Sequence, residues 1–152
     1  FHNTYGLPTV ITNCSNNYGP RQYKEKLIPQ TILNLFNNKK VPVYGDGLQI
    51  RDWLYVQDHC EALIEVWKYG NIGERYNIGG ECEIKNIDLI KKIVSLLDKD
   101  ESMIEYVEDR PGHDRRYSTN ISKISTKLNW KPRFNIGDGI ERTIKWYERY
   151  RN

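Results

Sequence analysis

Short runs with strand period alternate with longer runs of helical period along this chain, and that alternation confines it to the α/β class. Residues 8–13 read as a strand through Val10 and Ile11, followed by a polar loop of Ser, Asn and Gly-Pro. From Leu27 to Phe36 apolar residues recur at helical spacing. Pro29 falls in the first turn, where its missing N–H costs little, and Asn37-Asn38 stop the helix. Residues 41–44 and 50–56 read as strands around a Gly45-Asp46-Gly47 turn. Asp58 is placed to cap a helix over 59–69, with Ala62, Leu63, Val66 and Trp67 inward and Gly70 as its end. Residues 75–78 form a further strand, and Asn86 caps a helix striped by Ile87, Leu89, Ile90, Ile93, Val94, Leu96 and Leu97. A strand over 104–107, a helix from Ser122 to about Trp130, and a last helix over 136–150 with Ile140, Ile144 and Tyr147 inward complete the pattern. These strands are too few for a complete doubly wound sheet, so part of a sheet is expected to be absent.

Composition excludes several classes of function. At 152 residues, with 38% apolar and 28% charged residues, the chain suffices for one core. It has neither a membrane-spanning run nor a signal-peptide pattern, so the cytoplasm is the expected compartment. Cys14, Cys60 and Cys82 are odd in number and lack Cys-x-x-Cys spacing, which argues against disulfides and zinc; free, partly buried thiols are expected. His2 and His59 have no partners at metal-ligand spacing, so no metal is expected. A net charge of +3 is interspersed except near Arg110, His113, Arg115 and Arg116. That is a small anion site rather than a nucleic-acid face, and the tryptophans and tyrosines are assigned to core packing.

Four polar motifs interrupt the apolar segments where strand or helix patterns end. They are Asn13-Cys14-Ser15-Asn16-Asn17-Tyr18-Gly19-Pro20, Lys26-Leu27-Ile28-Pro29, Arg51-Asp52-Trp53-Leu54-Tyr55-Val56, and the run from Asp109-Arg110-Pro111-Gly112-His113 to Tyr117. Asn16 and Asn17 carry amides that can satisfy hydroxyls, phosphate oxygens or a carboxamide, or can simply form an Asx turn. Arg51 is a fixed cation in an apolar extended run. Asp52 is a poor partner for it, because neighbouring strand side chains point to opposite faces; Asp58 or a bound diphosphate remain. Lys26 and Leu27 open a helix, whose N-terminus favours anions, although a lysine there can equally be solvated. Tyr44 is a core ring or a flat ligand surface, and Asn86 is a cap, a ligand contact or both. His113 could titrate near neutrality. No Gly-x-Gly-x-x-Gly fingerprint is present: Gly45-Asp46-Gly47 is followed by Ile50 at the third position and Gly137-Asp138-Gly139 by Arg142.

The order of these motifs, over nearly the whole chain, resembles the dTDP-glucose 4,6-dehydratase family of extended short-chain dehydrogenases, in its C-terminal part only. The resemblance implies an incomplete Rossmann-type sheet plus a smaller α/β substrate-binding domain. Residues 1–23 would end the dinucleotide-binding domain, 24–50 enter the substrate domain, 51–84 return through the first, and 85–152 build the second. By the same resemblance Asn16 faces substrate and Asn17 faces NAD, the cofactor. Lys26, Leu27, Pro42, Val43, Tyr44, Arg51 and Asn86 would contact the dTDP-sugar, with Asp109, Arg110, Pro111, Gly112 and His113 closing over the nucleotide. Lys24 departs from the family's Pro-Glu-Lys-Leu loop, where proline is usual.

The reaction so implied converts dTDP-glucose to dTDP-4-keto-6-deoxyglucose and water, feeding rhamnose and other deoxysugars. The family's Tyr-x-x-x-Lys dyad is missing: none of the eleven tyrosines has a lysine four residues on. No catalytic residue is therefore assigned here. The chain opens Phe1-His2-Asn3 with Met103 as its one methionine, and it is expected to be a segment of a homodimeric parent, inactive alone. Strands at 8–13 and 76–78 are expected to lack their sheet neighbours and to favour self-association. The alternatives are a related sugar-nucleotide epimerase or decarboxylase, or a noncatalytic nucleotide-binding module.

Overall fold

The computed structural model describes residues 1–150. In chain order the elements are α1 (His2–Tyr5), β1 (Ile11–Cys14), β2 (Asn16–Tyr18), α2 (Leu27–Phe36), β3 (Val41–Tyr44), β4 (Ile50–Tyr55) and α3 (Val56–Tyr69). There follow β5 (Arg75–Ile78), β6 (Glu83–Lys85), α4 (Asn86–Leu96), β7 (Ile104–Val107), β8 (Arg116–Tyr117), α5 (Ser122–Leu128) and α6 (Ile136–Tyr150). Pairing is mostly parallel: β1 with β5, β2 and β8 with β4, and β3 with β7, while β6 runs antiparallel to β4. This is an α/β arrangement with pieces of parallel sheet, as the alternating pattern implies.

Strand β4 is the wall between two cores. Its side chains alternate between faces. Trp53 and Tyr55 enter the larger core with Tyr18, Ile28, Ile32, Val43, Ile90 and Ile140. Leu54 enters the smaller one with Ala62, Val66, Tyr76, Ile78, Ile121, Ile124 and Trp130. The smaller core thus takes side chains of α5, far along the chain, as well as of α3 and β5.

Helix α2 has the boundaries its periodicity implies, but other elements differ from expectation. The loop expected after residue 13 holds a strand instead. Ser15 N donates to Ile78 O (2.9 Å), and the next three residues leave β5 and pair with β4, Asn16 opposite Trp53. Strands β1 and β5 pair with each other, Ile11 opposite Arg75 and Cys14 opposite Ile78, in a two-stranded sheet whose outer edges have no strand partner among the described residues. Helix α3 starts at Val56, immediately after β4, so Asp58 lies within it and caps nothing; its fully buried Oδ2 accepts from Phe134 N (3.0 Å) and ties down the approach to α6. Asn86 is likewise the first residue of α4 rather than its cap, with Lys85 in that position.

The inward stripe of α3 is Asp58, Ala62 and Val66, while Leu63, Ile64 and Trp67 face outward, Trp67 80% exposed. Leu96 is also exposed. The aromatic residues divide: Tyr18, Tyr55, Tyr76, Tyr147, Trp53 and Trp130 are buried, whereas Tyr5, Tyr23, Tyr44, Tyr69, Tyr106, Tyr117 and Tyr150 are exposed. All three cysteines are free, but Cys14 and Cys60 are exposed and only Cys82 is partly buried. Among the described residues no helix is long and apolar enough to cross a membrane.

Candidate functional site

The parallel register of β3 and β7 sets Tyr44 beside Val107, so the chain leaves both strands at the same end. Gly45 N donates to Val107 O (2.9 Å), and the Gly45-Asp46-Gly47 turn lies against the loop that follows β7. Gly45 has φ +60°, and a Cβ there would stand 2.7 Å from Asp109 Oδ2; the close approach and the left-handed backbone both call for glycine. Arg115 Nη1 donates to both carboxylate oxygens of Asp46 at 2.9 Å. The backbone N–H of Leu48 and then this guanidinium hold Asp46 below the usual carboxylate range.

Asp109 organises its own loop. Its Oδ1 accepts from Arg110 N (2.9 Å) and from His113 Nδ1 (2.7 Å), while Oδ2 accepts from Gln49 Nε2 (3.0 Å). A carboxylate can only accept, so Nδ1 of His113 carries the proton and Nε2 is left for another partner. The imidazole, foremost, lowers the Asp109 pKa. The His113 side chain is nearly enclosed, at 6% exposure.

Arg51, 8% exposed, donates from Nη1 to Ile50 O (2.7 Å) and from Nη2 to Asp114 O (2.8 Å). Among the described residues no carboxylate forms an ion pair with it. Asp52 faces away and accepts from Gly80 N and Cys82 N, and Asp58 serves Phe134. Burial lowers the Arg51 pKa, Asp114 opposes this, and the like charge of Arg110 adds to it. The guanidinium of Arg110 is exposed and has no hydrogen bond or ion pair among the described residues. The charge of Arg110 thus reaches Arg51, and among the described residues no acid is hydrogen-bonded to either guanidinium.

Asn86 joins this cluster through its backbone, N to Gln49 O (2.9 Å), and its buried Oδ1 has no partner among the described residues. Tyr44 is exposed, not a core ring, and Val43 beside it is buried in the larger core with Pro42 half-buried. The Tyr44, Arg51, Asn86 and 109–113 positions are therefore gathered at one end of the molecule. Asn16 and Asn17 lie along β4 from them, opposite Trp53 and Leu54. Asn17 Nδ2 donates to Ser15 O (3.1 Å), its Oδ1 is buried without a partner among the described residues, and Gln22 Nε2 donates to its backbone carbonyl (2.7 Å). Lys26 is the exposed residue before α2, with Leu27 the first inside it, and neither bonds to the Arg51 cluster.

Gln49 escaped the sequence reading, and Trp53 was named in the third motif only as a core ring. Both lie on the parity of Arg51, two residues before and two after, and a buried amide beside a buried cation was the available signal. Trp53 Nε1 is another buried atom without a partner among the described residues. Two open surface depressions, of about 380 and 510 Å³, lie elsewhere, one along α3 and residues 128–133, the other around Asp52, Glu83 and residues 118–122. Chemistry rather than concavity singles out the Arg51 end.

The family described as GDP-mannose 4,6 dehydratase matches this chain over residues 1–143. The chain belongs to that family. Within the family it is 56% identical over 151 residues to a dTDP-glucose 4,6-dehydratase of Shigella flexneri, covering 95% of this chain and 42% of that protein. Among solved structures it is similar to a dTDP-glucose 4,6-dehydratase from Streptomyces venezuelae with NAD and TYD bound, at TM-score 0.96 and 43% identity, over 99% of this chain and 47% of that one. A UDP-glucuronic acid 4-epimerase from Bacillus cereus superimposes at TM-score 0.92 with 28% identity, over 98% of this chain and 48% of that one. The chain spans less than half the length of these relatives. The expected kinship with the extended short-chain dehydrogenases, and with their dTDP-glucose dehydratases, is borne out.

Proposed function

We propose that this chain is the nucleotide-sugar-holding C-terminal part of a dTDP-glucose 4,6-dehydratase. The observation that carries the reading is Arg51: a buried guanidinium whose bonded partners are two carbonyls, with a second arginine, Arg110, acting on it. A buried cation with no hydrogen-bonded anion, opposed only by the more distant charge of Asp114, is costly, and a diphosphate would pair with both arginines. His113 Nε2 would add a donor or acceptor, according to its protonation, from a ring held by Asp109. Tyr44 would lend its exposed ring to the base beside Pro42 and Val43, with Pro111 and Gly112 shaping the cover. Asn86 Oδ1, buried and unpartnered, would accept from the ligand. Asn16, Lys26 and the Leu27 amide are assigned to the sugar and phosphates.

A nicotinamide cofactor fits this chain at one side chain. Asn17 Oδ1 is buried with no partner while Nδ2 is engaged, which leaves an acceptor for a carboxamide N–H. When bound, NAD would supply the hydride acceptor for oxidation at carbon four and the donor at carbon six. Residues of this chain would hold and orient the nucleotide, and the acid and base would come from the rest of the enzyme. In this reading 1–23 and 51–84 belong to the cofactor-binding domain and 24–50 and 85–152 to the substrate domain, with Ile121, Ile124 and Trp130 bracing the former. The resemblance supports a cytoplasmic homodimer in deoxysugar synthesis. Identity of 56% and 43% to dehydratases, against 28% to an epimerase, favours dehydration.

Calorimetric titration of the full-length protein with dTDP tests the reading. Arg51→Ala should weaken binding by about 2–4 kcal/mol and leave NAD content unchanged. Unchanged dTDP affinity with a lowered melting temperature would make Arg51 a structural residue. The 152-residue chain alone should yield no 4-keto product from dTDP-glucose and NAD.

A further inference from the structure

We infer that Gln49 is a positioning residue of the nucleotide site proposed above, its amide holding Asp109, and through Asp109 the His113 ring, in the geometry that receives a nucleoside diphosphate. Gln49 is 2% exposed, so its amide is wholly inside the protein. Its Nε2 lies 3.0 Å from Asp109 Oδ2 and 3.4 Å from Tyr44 O. Both neighbours can only accept, which fixes the amide with its NH₂ toward them. The Gln49 backbone carbonyl accepts from Asn86 N at 2.9 Å.

One residue thus ties together the end of β3, the start of α4 and the loop after β7, where Asp109 is 60 residues from Gln49 in sequence. The consequence runs through Asp109. With Oδ2 taken by Gln49 and Oδ1 by His113 and Arg110 N, the carboxylate has its plane set from both sides and cannot turn toward a ligand. Asp109 is therefore itself a support, and the groups left to meet the nucleotide are His113 Nε2 and the free guanidinium of Arg110. Gln49 Oε1 is buried with no partner among the described residues. This inference rests on the proposed nucleotide site, and its test separates the two.

Gln49→Met keeps the length and burial of the side chain and removes the donor. In the full-length enzyme it should raise the dTDP dissociation constant and the KM for dTDP-glucose about tenfold or more, with kcat changed less than about threefold. Asp109→Asn should weaken dTDP by a similar factor, and adding Gln49→Met to it should cost little further, because both act along one path. Arg51→Ala is measured in parallel. If it weakens dTDP while Gln49→Met leaves affinity and KM within twofold, the positioning role is overturned and the nucleotide reading stands. If Gln49→Met lowers the melting temperature and kcat with KM unmoved, or if the two changes multiply fully in the double variant, Gln49 is a structural residue only. If the wild-type enzyme does not bind dTDP, both readings fall.

Discussion

Gly80→Ala is the sharpest test of how the chain crosses its central strand. A Cβ on Gly80 would stand 1.8 Å from Trp53 O, 2.6 Å from Trp53 C and 3.1 Å from Leu54 Cα, all backbone atoms of β4. No rotamer change relieves that contact, so one chain must move by more than an ångström. The move would stretch Gly80 N to Asp52 Oδ2 (3.1 Å), Cys82 N to Asp52 Oδ1 (2.9 Å) and Trp53 N to Cys82 O (3.0 Å). Overpacking costs about 1–3 kcal/mol. Weakening a bond to a buried carboxylate adds about 1.5–3 kcal/mol, and the lower chain entropy of alanine returns about 0.4–1 kcal/mol. The net is about 1.5–5.5 kcal/mol, a large part of the stability of an ordinary domain. Urea unfolding followed by tryptophan fluorescence should show it as a lowered midpoint. Gly6→Ala is the control: its φ of +66° strains alanine, but nothing lies within 4 Å, so about 1–2 kcal/mol is expected. Equal losses at the two positions would refute the backbone-contact argument.

Two further expectations concern stability. A Cβ on Gly139 would stand 2.0 Å from Tyr18 Oη, so Gly139→Ala should lose about 1–3 kcal/mol in chemical unfolding, and Tyr18→Phe in the same protein should recover part of it. Glu83, bonded to Arg116 and Ser118, has its pKa lowered from 4.5 to about 2, chiefly by Arg116. A depressed folded-state value stabilises above the unfolded pKa and is lost as pH falls through the folded one, so this contribution fades between pH 4.5 and about 2; Glu83→Gln should flatten that part of an acid titration of the melting temperature.

The sequence by itself determined the elements whose signal is local. Helix α2 and strands β3, β5 and β7 have the boundaries their periodicities imply, because a run of apolar residues at one spacing buries one face only as one kind of element. The case for Arg51 was local too: strand alternation alone turned Asp52 away from it, and the structure has Asp52 on Gly80 and Cys82. Tertiary structure decided whatever depended on distant partners. Residues 16–18 carry no strand signal and become a strand because β4 offers its edge. Asp58 and Asn86 suit helix caps by type, yet Phe134 N claims one and the Gln49 carbonyl draws the other into α4. On α3 both sides are apolar, so only the neighbours, β5 and α5, decided that Ala62 and Val66 go inward and Leu63 and Trp67 do not. Gln49 was silent in the sequence for the same reason. Its partner Asp109 is 60 residues away, and a hydrogen bond between them exists only because the register of β3 with β7 brings both chain ends to the same place.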